Sequence, residues 1–337
     1  SRATRLAMLI MTVAITVPLQ AAEMPIPIDV ARRLSLEFPR LYIDSSPYWL
    51  RSSYSATHPE WRREILLRRG RAAWVISDRV AASETVASLN DLARTADMPV
   101  AAAYALFLQA DELVDRGQYS SALSEVSRAA TILRSTDDVH WRAVANAELC
   151  DAYWGTEQAE SAKPFCRRAE KYFRSVADEW YLARLENIMA MLQEADGDGE
   201  QAIATAQSAR QRFERMQMPS MVAMIDDNLS SLYLESGDAE RALEVSTRAL
   251  ALELKAGKLQ HAVSSHMNIA NALSALGRHA EAQASIDAAK DAAAKVDLSS
   301  FRGIIETVQM DIAEAAGDFP RALSAARNAI DASYELN

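Results

Sequence analysis

The stretch Leu232-Tyr233-Leu234-Glu235-Ser236-Gly237-Asp238-Ala239-Glu240-Arg241-Ala242-Leu243 ends one helix and starts another. Gly237 can take a left-handed conformation without steric cost and so closes a helix, and Asp238 is placed to cap the helix that restarts at Ala239. In steps of 40 residues outward from this turn, one column reads Gly117, Glu157, Gly197, Gly237, Gly277, Gly317. Five residues later comes Ala122, Ala162, Ala202, Ala242, Ala282, Ala322, and seven after that Ala129, Ala169, Ala209, Ala249, Ala289, Ala329. All twelve positions are alanine in a chain with 63 Ala among 337 residues, a regularity that composition alone does not produce. Alanines seven apart share one helix face, and their small side chains let an antiparallel partner come close.

Between one alanine pair and the next turn, stretches such as Met221 to Ile225 with Leu229, Leu232 and Tyr233 supply another helix, and Pro99, Pro219, Asp137-Asp138 and Asp178-Glu179 fall where that helix starts. The spacing predicts an all-α array of antiparallel helix hairpins. One hairpin cannot bury its apolar face alone, so the stack is the folding unit. The run Asn228 to Leu243, with Asn268 to Ala282 as a second copy, resembles the first-helix, turn and second-helix pattern of tetratricopeptide (TPR) repeats. The resemblance covers residues 98–337 as six repeats of 40 residues, longer than the common form of the family, with Met310 where a small residue is usual. It implies a right-handed superhelical solenoid that works by binding and carries no cofactor.

One period earlier, Gly70, Ala82 and Leu89 keep the phase, so residues 59–97 read as a degenerate repeat that caps the array. Residues 23–58, rich in Pro, read as a short helix from Asp29 to Phe38 followed by an aromatic loop around Tyr42, Tyr48 and Trp49. Residues 1–22 hold Arg2 and Arg5, an apolar run from Leu6 to Val17 and small residues at Ala21-Ala22, the layout of a secretory signal peptide. Twelve apolar residues are short for a membrane span, so attachment to a membrane is expected only through an uncleaved N-terminus or a further C-terminal helix. The chain begins with Ser, and Asn337 is expected to fall partway through the last second helix with no capping helix after it, the expectation for a fragment.

Net charge is −10, which argues against nucleic acid as a partner, although residues 29–71 hold nine Arg against five acids. No P-loop, dinucleotide fingerprint or nucleophile elbow occurs, and the nearest His pair, His261 and His266, is five apart, not the four that a helical zinc motif requires. The chain reads as a non-enzyme without a metal site. Cys150 and Cys166 are the only cysteines, on the first and second helix of one hairpin at core columns. Two readings stay open: a disulfide in an exported chain, or two buried thiols acting as small hydrophobes.

In TPR proteins the first helices line the ligand groove. The resemblance places Asn187, Asp227, Asn228, Asn268, Asn271 and Trp154 there, with Asp111, Asp151, Met191, Asp311, Tyr104 and Phe107 on the same columns, and gives Asn228 and Asn268 contact with the main chain of an extended ligand. The plain alternative is a solvated polar face. The acidic columns favour a neutral or basic protein or peptide. The organisation resembles the periplasmic sensory half of bacterial TPR–GGDEF signalling proteins, which implies export to the periplasm and signal transduction. Two further readings are the N-terminal part of a membrane-bound diguanylate cyclase whose catalytic domain lies beyond residue 337, and a cytoplasmic TPR regulator.

Overall fold

The computed structural model describes residues 25–76, 78–116, 118–136, 138–295 and 301–335. The segment 1–22, expected to be a signal peptide, and Gly117 and Asp137 of the repeat columns, lie outside the described residues. The chain divides into two compact units, Ser1–Ser135 and Thr136–Asn337. The first contains α1 (Ile28–Glu37), α2 (Pro39–Leu50), α3 (Ser53–Thr57), α4 (Pro59–Val75), α5 (Arg79–Thr95), α6 (Pro99–Asp115) and α7 (Tyr119–Ser135). The second contains α8 (Val139–Gly155), α9 (Ala159–Ser175), α10 (Glu179–Ala195), α11 (Gly199–Arg215), α12 (Pro219–Glu235), α13 (Ala239–Ala256), α14 (Leu259–Ala275), α15 (His279–Lys295), α16 (Arg302–Ala315) and α17 (Phe319–Glu335). Among the described residues there is no strand, and no helix is long and apolar enough to cross a membrane.

From Pro59 onward nearly every helix is seventeen residues long, and three residues of turn bring the rise to twenty residues per helix. The turn explains the spacing. After α12 the Asp238 amide donates to the Tyr233 carbonyl at 2.8 Å and the Gly237 amide to the Leu234 carbonyl at 3.0 Å, the paired bonds that close a helix over a left-handed residue. Asp238 then caps α13, its Oδ1 accepting the Arg241 amide at 3.1 Å. Asp78, Asp138, Asp178, Asp198 and Asp318 cap their helices in the same way, while α4, α6 and α12 start on Pro59, Pro99 and Pro219.

Left-handed residues occur not only at Gly197, Gly237, Gly277 and Gly317 but also halfway between, at Asp97, Ala177, Gln217 and Gly257. The second set joins one hairpin to the next. It is nearly invisible to a search for glycine columns, because only Gly257 carries the residue that fits.

The alanine columns are buried in every repeat but the last: Ala122, Ala162, Ala202, Ala242 and Ala282 and their partners seven residues on have almost no exposure, whereas Ala322 and Ala329 on α17 are half-buried. First and second helices differ in how they are covered. In α12, Val222, Ala223, Ile225, Leu229, Leu232 and Tyr233 are buried around most of the circumference, while α11 buries only the stripe Ala202, Ala206, Ala209 and Phe213. The first helices are packed on two sides and the second helices on one. Helix α17 is described over seventeen residues, as many as α9, α11 and α15.

The aromatic loop expected around Tyr42, Tyr48 and Trp49 is a helix, α2. Pro39 occupies its first position and Pro47 lies inside it, so two residues that ordinarily mark loops are accommodated, and Tyr42 is driven fully into the core with its hydroxyl donating to the Ile65 carbonyl at 3.2 Å. Trp61 donates from Nε1 to the Ile26 carbonyl at 3.0 Å, which ties the N-terminal helices to α4. Gly70 of α4 is small for a packing reason: a Cβ there lies 2.2 Å from Leu108 Cδ1 of α6.

Candidate ligand-binding face

In the second unit the first helices are linked to one another by side chains at a spacing of 41 residues. Asn228 Nδ2 donates to Asn187 Oδ1 at 2.7 Å, and Asn268 Nδ2 donates to Asp227 Oδ1 at 3.2 Å and to the Asp227 carbonyl at 3.4 Å. The ladder brings Asn187, Asp227, Asn228 and Asn268 together across α10, α12 and α14. All four are half-buried, so each keeps an edge at the surface, and the three Asn amides keep hydrogen-bonding capacity beyond the inter-helix bond. Asn271 is half-buried on α14, and Trp154, also half-buried, occupies on α8 the position of Glu194 on α10 and Leu234 on α12. Tyr104 and Phe107 are not part of any face in the first unit. They are 4% and 3% exposed, and the Tyr104 hydroxyl donates to Glu64 Oε1 at 2.9 Å, so these two residues expected on the groove columns are core.

Behind the ladder runs a second set of polar contacts that ties hairpins together. Asp226, fully buried, accepts from Arg210 Nε at 2.7 Å and from Arg248 Nε and Nη2 at 2.7 and 2.8 Å. Glu186 accepts from Arg212 Nε at 2.9 Å, and Glu306 pairs with Lys290 Nζ at 2.7 Å. Glu186, Asp226 and Glu306 occupy one column of the 40-residue period, and each is neutralised by a cation from a second helix. Arg184 does a related task between α8 and α10, with Glu148 at 3.0 Å and Asp151 at 3.1 Å.

This pattern sets the charge of the face. The first helices α8, α10, α12, α14 and α16 hold eleven Asp and Glu against three Arg and no Lys, whereas the second helices α9, α11, α13, α15 and α17 hold twelve acids against fifteen Lys and Arg. The carboxyl groups respond to the crowding. Glu235 is pushed up by burial and by the Glu194 carboxylate beside it, Asp311 by burial and by Glu314, and Asp227 by burial and then by Asp226. Groups raised by neighbouring negative charge favour an approaching cation and repel an anion.

Two residues that bear on this face were not singled out from the sequence. Ser265 of α14 stands with its Oγ 2.8 Å from Asp227 Oδ1 and 2.7 Å from Glu253 Oε2 of α13. The signal was present in the period: Glu253 falls in the column of Leu133, Phe173 and Phe213, and Ser265 in that of Ala145, Leu185, Ile225 and Ile305, all of them core. Elsewhere in the unit, Cys150 of α8 and Cys166 of α9 are joined in a disulfide with their Cα atoms 5.0 Å apart, both fully buried. Among the described residues no group of three His, Cys, Asp or Glu is placed to hold a metal ion.

No family model matches the chain, and no curated protein matches it in sequence. Solved structures do. A Rap protein complexed with Competence and Sporulation Factor superposes with a TM-score of 0.63 at 15% identity over 92% of this chain and 98% of that one. NprR in complex with its cognate peptide NprX gives 0.60 at 15% identity over 86% of each chain. A signal-transduction ATPase with a tetratricopeptide repeat sensor from Pyrococcus horikoshii gives 0.62 at 15% identity over 90% of this chain and 48% of that one. Likeness at this identity is likeness of fold, and with the helix hairpins, the 40-residue period and the small-residue columns it leads to one statement: the chain has the fold of the tetratricopeptide-type repeat proteins.

Proposed function

We propose that the chain is a peptide-binding scaffold whose first-helix face in the second unit takes an extended segment of neutral or basic character. The observation that carries this reading is the separation of charge, eleven acids against three Arg on the first helices, combined with half-buried amides at Asn187, Asn228 and Asn268 on the same face. The amides supply donors and acceptors for a peptide backbone, and the carboxyl groups supply the preference for Lys or Arg side chains. Of the superposed proteins, NprR is in complex with its cognate peptide NprX and Rap with Competence and Sporulation Factor, which supports a binding mode of action here.

The setting we infer is an exported, periplasmic protein serving as the sensory or interaction module of a bacterial signalling protein. The Cys150–Cys166 bridge supports an oxidising compartment. The binding step is tested by fluorescence anisotropy with labelled extended peptides matched in length and differing in charge. A Lys-rich peptide is expected to bind roughly tenfold tighter than its Glu-rich counterpart at low salt, with the preference falling as salt screens it. The Asn228→Ala variant is expected to weaken both peptides alike. Equal affinity for the two charge types, unaffected by Asn228→Ala, removes the reading.

A further inference from the structure

The junction of α12, α13 and α14 places two carboxyl groups and one hydroxyl within hydrogen-bonding distance, and the hydrogens must be counted. Ser265 Oγ lies 2.8 Å from Asp227 Oδ1 and 2.7 Å from Glu253 Oε2. A serine hydroxyl has one proton and can donate to only one of them. For both contacts to be hydrogen bonds, the other carboxyl group must donate to Oγ, and only a protonated carboxyl can. Asp227 Oδ1 also accepts from Asn268 Nδ2, which marks Asp227 as the ionised partner. Glu253 is then the donor.

Burial points the same way. Glu253 is 2% exposed at a position that Leu133, Phe173 and Phe213 fill in other repeats, and its partner Ser265 sits where other repeats place Ala145, Leu185, Ile225 and Ile305. Two apolar columns become polar at one junction and meet there. A carboxylate at a core position without a cation is strongly disfavoured, and taking up a proton is the route by which such a group is tolerated.

We infer that Asp227 and Glu253 hold one titratable proton between them at neutral pH, bridged by the Ser265 hydroxyl across α12, α13 and α14, making this inter-repeat junction a pH-sensitive joint. The inference stands whether or not the first-helix face binds a peptide. The charged groups around the joint do not remove the need for the proton. Asp226 of α12 faces it but is held by Arg210 of α11 and Arg248 of α13, and its charge raises Asp227 further. Lys258, before α14, pulls Glu253 down less than burial and Asp227 push it up. His261 and His266 of α14 are pushed down by burial, so they supply no cation at neutral pH.

The sign of the pH dependence follows. With Glu253 raised from 4.5 to about 8 in the folded chain, the folded state keeps a proton that the unfolded state has lost across that window, so stability falls as pH rises through it and levels off above. The folded-to-unfolded ratio is expected to fall about tenfold per pH unit within the window, relative to a variant without the group.

The test is carbon NMR of the full chain labelled at the Glu and Asp carboxyl carbons, followed by urea unfolding at a series of pH values. One glutamate carbon is expected to titrate far above the ordinary carboxylate range and to vanish in Glu253→Gln. Stability from pH 5 to 7.5 is expected to fall more steeply in the wild type than in Glu253→Gln or in Glu253→Leu, which restores the apolar column. Should either variant fail to fold, the wild-type titration decides. If every Glu and Asp carbon titrates within the ordinary range, or if the wild type and variants share one pH dependence, the shared proton does not exist.

Discussion

Replacing Asp226 by Asn removes one charge and almost no volume from the middle of the second unit. Asp226 is fully buried and accepts three short bonds from two guanidinium groups, at 2.7, 2.7 and 2.8 Å. Breaking a buried ion pair by neutralising one partner typically costs about 3–5 kcal/mol, because the remaining charge is left without compensation. Here the remaining charges are not stranded. The Arg210 side chain is 19% exposed and also reaches Glu214 at 3.0 Å, and Arg248 is 36% exposed and reaches Glu244 at 3.5 Å. Both can turn toward water or toward their second partner, so the expected loss sits at the low end, about 3 kcal/mol. Urea unfolding followed by circular dichroism reads it as a lower midpoint with an unchanged slope. In the Arg248→Leu background the same replacement is expected to cost less, since part of the interaction is already absent. A loss under about 1 kcal/mol in Asp226→Asn, or full additivity with Arg248→Leu, refutes the view that this buried acid holds α11, α12 and α13 together.

Four further perturbations test the packing directly. Ala177 is left-handed with φ 52°, and Ala177→Gly is expected to stabilise the chain by about 1 kcal/mol, while Gly237→Ala, at φ 81° with no atom near the added Cβ, is expected to destabilise it by a similar amount. Both are read as shifts in urea midpoint. Gly70→Ala places a Cβ 2.2 Å from Leu108 Cδ1 and is expected to cost about 1–3 kcal/mol as Leu108 and the α4–α6 contact adjust, read in the same assay. Reducing Cys150–Cys166 releases a cross-link over a sequence separation of 16 and is expected to lower stability by about 3 kcal/mol, compared by thermal unfolding with and without reductant.

The helix hairpins were legible because the turn glycines and the paired alanines recur in fixed columns, and each has one physical task. Where the task was done by an unsuitable residue, the signal disappeared: Asp97, Ala177 and Gln217 make the same left-handed turn as Gly237, yet nothing in their side chains announces it. Pro39 and Pro47 misled in the opposite direction, since a first-turn proline and one accommodated inside a twelve-residue helix read as loop residues from sequence. The exposed edge of the first helices could be located by counting from the turns, but hydrogen bonds such as Asn228 to Asn187 depend on how far one hairpin is rotated against the next, and no local pattern encodes that rotation. Tyr104 and Phe107 were misplaced for the same reason, being covered by neighbours that the sequence does not specify.

A repeat array is its own control, because each column states what the fold requires at that point and every exception has to be explained by its neighbours. Glu186, Asp226 and Glu306 form a column of acids, and the second helices answer with Arg212, with Arg210 and Arg248, and with Lys290. Acid on a first helix and cation on a second is therefore the rule by which hairpins are joined here, and it accounts for much of the charge separation before any ligand is considered. Glu253 breaks the rule: it is an acid on a second helix, in a column otherwise apolar, and the charge that acts on it most strongly is that of another acid, Asp227. Glu194, Glu235, Asp311 and Glu314 stand outside the rule as well, since they crowd one another on the first helices. Stability alone favours replacing such groups, so their cost points to a task other than the fold, in keeping with the proposed selection of a basic ligand by the acidic face and the proposed response of the buried pair to pH.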